Sequence, residues 1–335
     1  MGSNPLRLRC LLFLAPVLGA CPSAALFAQE PADPPGWYWH GDNDLPGLPR
    51  RMESHMPNYI AYNVDEGYDG HVDFRFSLKY SFFKYSRPYR NARLADRIVP
   101  HAAFTARMSQ FIGTQDSSPV LGRRFNPELF LRFWSPNAED YFDLAYGHES
   151  NGQNINAGEE YRAKQDSLVA DGDDIALADK FISRGWDYVG FTTRKSLFKW
   201  GEDQEPGSPA TKELVLYGRV QYFLDDGFFQ GKSEDYYDFE PGPATEREQF
   251  DGLSMLLRMD TGKVTGFKVT AQYITGYDGM FDRSTVRLEC TAKDFGLPWS
   301  DASLPLTVWW QDGYNADLAT YNRQSHSFGI GIEFE

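Results

Sequence analysis

The sequence predicts an all-β protein, a transmembrane antiparallel β-barrel of about twelve strands. Three observations carry that prediction. Arg7 and Arg9 precede the apolar run "CLLFLAPVLGA", and small residues follow through "SAALFAQE", which is how a secretory signal is written. Beyond it, apolar and polar residues alternate with period two almost to the C-terminus, as in strands with one apolar face. No stretch of that remainder approaches the roughly 18 apolar residues of a membrane-spanning helix.

In chain order, residues 1–28 read as the signal, with cleavage expected after Ala28. Leu18-Gly19-Ala20-Cys21 also resembles a lipoprotein box, whose Cys would be lipidated instead. Residues 29–56 are rich in Pro and Gly and read as a periplasmic leader, leaving 57–335 for the barrel. Strands are expected at 57–65 and 70–84; in the second, Val72, Phe74, Phe76, Leu78, Tyr80 and Phe82 alternate with Asp73, Arg75, Ser77, Lys79 and Ser81. Others follow at 97–112, 124–134, 140–150, 186–198 and 211–224, where "KELVLYGRVQY" repeats the pattern. The last five fall at 251–260, 264–275, 283–293, 304–314 and 324–334, closing on "HSFGIGIEF". An even strand number puts both termini on one side. With the N-terminus in the periplasm, the long acidic connections (113–123, 151–185 and 225–250) lie outside, while tight ones such as 135–139 and 261–263 lie inside. Two connections fit this less well: 66–69 is short for an outer loop and 85–96 long for an inner turn.

Composition excludes several classes. A formal charge of −14 makes the chain a poor partner for nucleic acid, which needs a basic footprint. Removing the signal takes away two Arg and no acid, so the remainder is more negative still. Cys10 and Cys21 lie in the signal, leaving Cys290 alone and excluding a disulfide-stapled secreted scaffold. A soluble β-sandwich also alternates. Here, however, many segments run about ten residues, enough to cross a bilayer at a tilt, and the apolar row is dense in Tyr, Phe and Trp. In lipid only a closed sheet satisfies every backbone group.

One strand breaks the pattern. In "DYFDLAYGHESNGQ" (140–153), Phe142, Leu144, Tyr146, His148 and Ser150 share one face, opposite Asp143, Ala145, Gly147 and Glu149. His148 and Ser150 therefore sit on the lipid side at the outer end of the fifth strand, level with the outer head groups. Ionisable groups at membrane depth are costly and point to function. Positions i and i+2 of a strand lie about 7 Å apart at Cα, close enough for an imidazole to meet a hydroxyl. A serine needs a base to become a nucleophile, and the histidine needs a third group to fix its tautomer. In "SRGWDYVGF", Asp187 shares the apolar face with Val189 and Phe191 and lands beside His148. H-x-S alone carries little information; the facing rule and the neighbouring carboxylate give it content.

These residues carry a resemblance. "YGHESNGQ", with "SSP" upstream and "SRGWD" downstream, resembles the outer-membrane phospholipase A family, calcium-dependent lipid hydrolases of Gram-negative outer membranes. The family motif H-x-S-N-G is matched by His148, Ser150, Asn151 and Gly152, and S-R-x-W by Ser183, Arg184 and Trp186. "PELFLRF" at 127–133 and "YNRQSHSFGIGIEF" at the C-terminus are also similar, so the likeness spans about residues 55–335. It implies hydrolysis of phospholipid acyl esters (A1/A2 type), with Ser150 the nucleophile, His148 the base and Asp187 the third member. It implies an oxyanion hole from the backbone N–H groups of Ser150 and Gly152. It implies calcium bound by Ser117, Ser183 and the carbonyl of Gln153, and a homodimer in which Ser117 comes from the partner chain. The active site would face the outer leaflet.

The chain departs from the family in two places. The usual Asn is Asp187 here, and by the resemblance an amide at 187 is expected to be tolerated. Residues 153–182 form a long insertion with seven acids and three bases, expected as a solvated surface loop or as a lid or divalent-ion contact with lipopolysaccharide. His101 and His326 read as structural. A competing function is a porin-like or scaffolding barrel with an inert His148 and Ser150, although about twelve strands leave little channel once charged side chains fill the lumen. A soluble esterase is disfavoured by the missing nucleophile elbow.

Overall fold

The computed structural model describes residues 52–65, 70–82, 92–111, 120–200, 212–231, 233–240, 242, 244–262, 266–296 and 303–334. The expected signal, most of the leader and Ser117 lie outside these residues.

The alternating segments form one antiparallel sheet that closes on itself. Its strands are β1 (Met52–Ser54), β2 (Asn58–Asp65), β3 (His71–Ser81), β4 (Ile98–Phe111), β5 (Leu121–Trp134), β6 (Tyr141–Ser150) and β7 (Gly185–Trp200). They continue with β8 (Lys212–Phe223), β9 (Gly252–Asp260), β10 (Phe267–Gly276), β11 (Ser284–Gly296), β12 (Ser303–Gly313) and β13 (Ser325–Phe334). Each strand from β2 to β12 pairs with the next, and β13 pairs back with β2, for example Ile330 with Tyr62, so β2–β13 make a closed twelve-stranded barrel. All twelve segments read from the alternation are present. The addition is β1, which pairs Glu53 with Lys79 of β3 inside the stretch expected as leader. Three residues are too few for a period to show. Among the described residues, no helix is long and apolar enough to cross a membrane.

Alternation sorts side chains as a lipid-embedded barrel requires. Ile60, Leu129, Leu144, Leu257, Leu288 and Ile330 all lie exposed on the outer wall, an apolar surface at home only in lipid. The inner row is polar and paired. Arg132 grips Asp143 through two 2.8 Å bonds. Fully buried Asp73 accepts from Arg107 Nε and from the Tyr59 hydroxyl, both at 2.9 Å. Buried charge persists only with such partners. These groups fill the lumen of the described barrel. His101 is part of the filling, its Nδ1 2.9 Å from the Val99 carbonyl and its ring stacked on Phe130, in line with the structural role expected for it.

The 153–182 insertion departs from the loop expectation, because it folds. Gly158–Asp171 forms helix α1, with Glu159 and Glu160 in the first turn, where acids suit the helix dipole. Gly172 ends it in the left-handed conformation (φ 82°), its N–H reaching the carbonyls of Leu168 and Val169. A 3₁₀ segment, Ile175–Phe181, follows. Together they enclose a small core of Ile155, Tyr161, Leu168, Leu177, Ala178 and Ile182, joined by Tyr237 and Phe239 from the β8–β9 connection. Only Tyr161 and Leu168 of α1 are buried, too sparse a stripe to reveal the helix in the sequence.

Candidate active site

The β6–β7 pair places the suspected residues as facing predicts. His148 is in register with Asp187, and Ser150 with Gly185. Even-numbered β6 residues face out, from Leu144, half exposed, to His148 and Ser150. His148 Nδ1 lies 2.6 Å from Asp187 Oδ1. An ionised carboxylate can only accept, so Nδ1 carries the proton and Nε2 is left unprotonated.

An outward carboxylate on a barrel wall should be exposed, yet Asp187 is completely buried. The β8–β9 connection folds over it. Asp187 Oδ2 accepts the Phe229 N–H at 2.7 Å, the Gln230 N–H at 3.2 Å and the Tyr146 hydroxyl at 2.7 Å. The Tyr146 oxygen in turn accepts the Phe228 N–H at 2.6 Å. A Gly227 N–H bond to the Gln230 carbonyl (2.8 Å) closes the turn. Position 227 must be glycine, since a Cβ there would stand 2.0 Å from Asp187 Oδ2. The Phe229 ring packs on Tyr146 and His148, each 6.1 Å away centre to centre. Phe228 stands almost fully exposed beside it.

Beyond Ser150 the chain leaves β6. Gly152 takes φ +57°, a left-handed conformation open to glycine. Asn151 is buried and stitches the exit together: its Nδ2 donates to the Ile182 carbonyl (2.7 Å), while its Oδ1 accepts from the N–H groups of Gln153 (3.1 Å) and Arg184 (3.0 Å). This side chain adds to the backbone bonds of Asn151 with Arg184 and Ile155 with Ser183 that join the two ends of the insertion. Asn151→Ala would strand two buried backbone groups, the Ile182 carbonyl and the Arg184 N–H, at about 1–3 kcal/mol each, and the half-buried Gln153 N–H as well. The expected result is loss of roughly 3 kcal/mol or more of local stability. Limited proteolysis should then cut within 151–184 while the barrel keeps its heat-modifiable migration; wild-type resistance would refute the role.

Arg184 and Trp186 anchor the opposite loop. Trp186 Nε1 donates to Asp235 Oδ1 at 2.8 Å, and buried Arg184 pairs with Glu240. Arg247 lies over Trp186 at 4.6 Å and pairs with Glu149 and Asp251.

The expected calcium residues are partly brought together. Ser183 Oγ donates to Glu234 Oε2 at 3.0 Å, which brings together a hydroxyl and a carboxylate, both hard oxygen donors. The donor types fit calcium. The Gln153 segment lies alongside through Asn151, though the Gln153 amide itself accepts from Arg123 Nη2 at 2.7 Å. A separate trio, Glu246, Glu248 and Asp278, also has oxygens within 4.8 Å of one another and shares no residue with this set. Sequence reasoning missed Glu234, Tyr146 and the 225–230 turn. Glu234 sits in an acidic run with no ligand spacing, and Tyr146 reads as one more aromatic on the apolar face of its strand.

The fold and site define a closed outer-membrane-type barrel with a His–carboxylate pair and a serine on its lipid-facing wall. Its fold is that of outer-membrane phospholipase A. The Escherichia coli outer membrane phospholipase A is similar with a TM-score of 0.54 and 16% identity, over 88% of this chain and 94% of that one. A Salmonella typhi outer membrane phospholipase, described as a dimer with bound calcium, matches with a TM-score of 0.54 and 15% identity over the same shares. No protein-family model matches the chain. No curated protein matches it by sequence.

Proposed function

We propose that this protein is an outer-membrane phospholipase that hydrolyses acyl esters of phospholipids with Ser150, His148 and Asp187. The observation that carries the reading is the 2.6 Å His148–Asp187 contact on the outward wall, two residues before Ser150 on the same face. Asp187 holds the imidazole with Nδ1 protonated. His148 Nε2 takes the Ser150 proton as Oγ attacks the ester carbonyl, and returns it to the leaving alcohol. The N–H groups of Ser150 and Gly152 are assigned to the oxyanion. Water then attacks the acyl-enzyme with His148 again as base, releasing the fatty acid. The substrate needs no entry channel, because the site opens on the wall that lipid covers.

Calcium, held by Ser183, the Gln153 carbonyl and Glu234, with Ser117 from a partner chain in a homodimer, would supply positive charge that stabilises the oxyanion. Residues 1–28 are assigned as the export signal to a Gram-negative outer membrane, with the site toward the outer leaflet. The test is phospholipid hydrolysis by detergent-refolded protein with calcium and then with chelator, alongside calorimetric calcium titration. Hydrolysis is expected to require calcium, and Ser183→Ala to weaken calcium binding roughly tenfold or more. Hydrolysis untouched by chelator, with no calcium heat, would remove the metal from the proposal.

A further inference from the structure

Taking Ser150, His148 and Asp187 as the catalytic set, we infer that Tyr146 and the 225–230 turn are a positioning clamp for the catalytic carboxylate. The clamp is built for an anion. Every group on Oδ2 is a donor: the Tyr146 hydroxyl at 2.7 Å and the N–H groups of Phe229 and Gln230 at 2.7 and 3.2 Å. The two backbone N–H groups can only donate and could not accept from an amide. Tyr146 also bridges wall to turn, donating to Asp187 while accepting from Phe228 N–H at 2.6 Å. The turn belongs to a connection more than thirty residues downstream of Asp187, so the geometry of the acid depends on a loop outside the β6–β7 hairpin. Gly227 permits the close approach, and the Phe229 ring packs on His148.

Tyr146 never touches the serine in this scheme; it acts through Asp187. Its loss should lower kcat and leave KM nearly alone, because Tyr146 bonds the catalytic carboxylate rather than the substrate. Tyr146→Phe keeps the ring packed on Phe229 and deletes only the hydroxyl. A hydrogen bond to a charged group of this kind is expected to be worth about tenfold in kcat, with KM within about twofold.

A double-mutant cycle distinguishes positioning from a merely structural staple. In an Asp187→Ala background the clamp has nothing to hold, so adding Tyr146→Phe should change kcat by less than about twofold. A staple for the turn would cost the same in both backgrounds. The cycle is run on full-length refolded protein with calcium, checked for heat-modifiable migration, with Ser150→Ala beside it. Strong non-additivity with an inactive Ser150→Ala supports the clamp. Additive losses, or a Tyr146→Phe enzyme with wild-type kcat, overturn it while the serine-hydrolase reading survives. An active Ser150→Ala overturns both.

Discussion

Ser150→Ala is expected to lose phospholipid hydrolysis by at least about 10³-fold while the barrel still folds. The serine lies at the end of β6, where the chain leaves the ladder, and it faces outward with no packing duty comparable to that of its neighbours. Removing one oxygen from an outward position leaves the Asn151 stitches and the β6–β7 register in place. Activity should therefore vanish without a change in heat-modifiable migration or in far-ultraviolet dichroism. Hydrolysis within tenfold of wild type in a folded Ser150→Ala barrel would contradict the nucleophile assignment.

Asp187→Asn is expected to be comparably severe, about 10⁴-fold in kcat. The resemblance alone predicts tolerance, since the family places Asn here; the donors around Oδ2 reverse that expectation. If the amide oxygen faces Tyr146, Phe229 and Gln230, its NH₂ points at His148 Nδ1. The imidazole proton must then sit on Nε2, the nitrogen that has to accept from Ser150. If the amide flips, its NH₂ meets the Phe229 and Gln230 N–H groups, two donors that it leaves unsatisfied. Either arrangement fails, one by tautomer and one by stranded hydrogen bonds. Measuring kcat, with ¹⁵N-histidine spectra to locate the ring proton, checks both. A variant within tenfold of wild type and with an unchanged tautomer would show that the charge is dispensable.

Most of the barrel was legible in the sequence because strand facing is a local property. Alternation alone placed His148, Ser150 and Asp187 on one wall, and the β6–β7 register then follows from matching the apolar faces. The cap was illegible for the opposite reason. Tyr146 and Phe228 meet across 82 residues, and Ser183 and Glu234 across 51, with no periodicity to announce either. Helix α1 hid because only two of its residues are buried, and β1 because it is three residues long. The motif Asn151 was read as part of a signature; its work as the staple between Gln153, Ile182 and Arg184 appears only once the insertion is folded.

The most direct test of the central claim is to map where a serine-reactive fluorophosphonate attaches to the refolded barrel in the presence of calcium. The account predicts a single labelled peptide with the adduct on Ser150, and loss of that label in His148→Ala, whose serine has no base. Phospholipid hydrolysis that proceeds with Ser150 unlabelled, or labelling of Ser150 that is indifferent to His148, would contradict it.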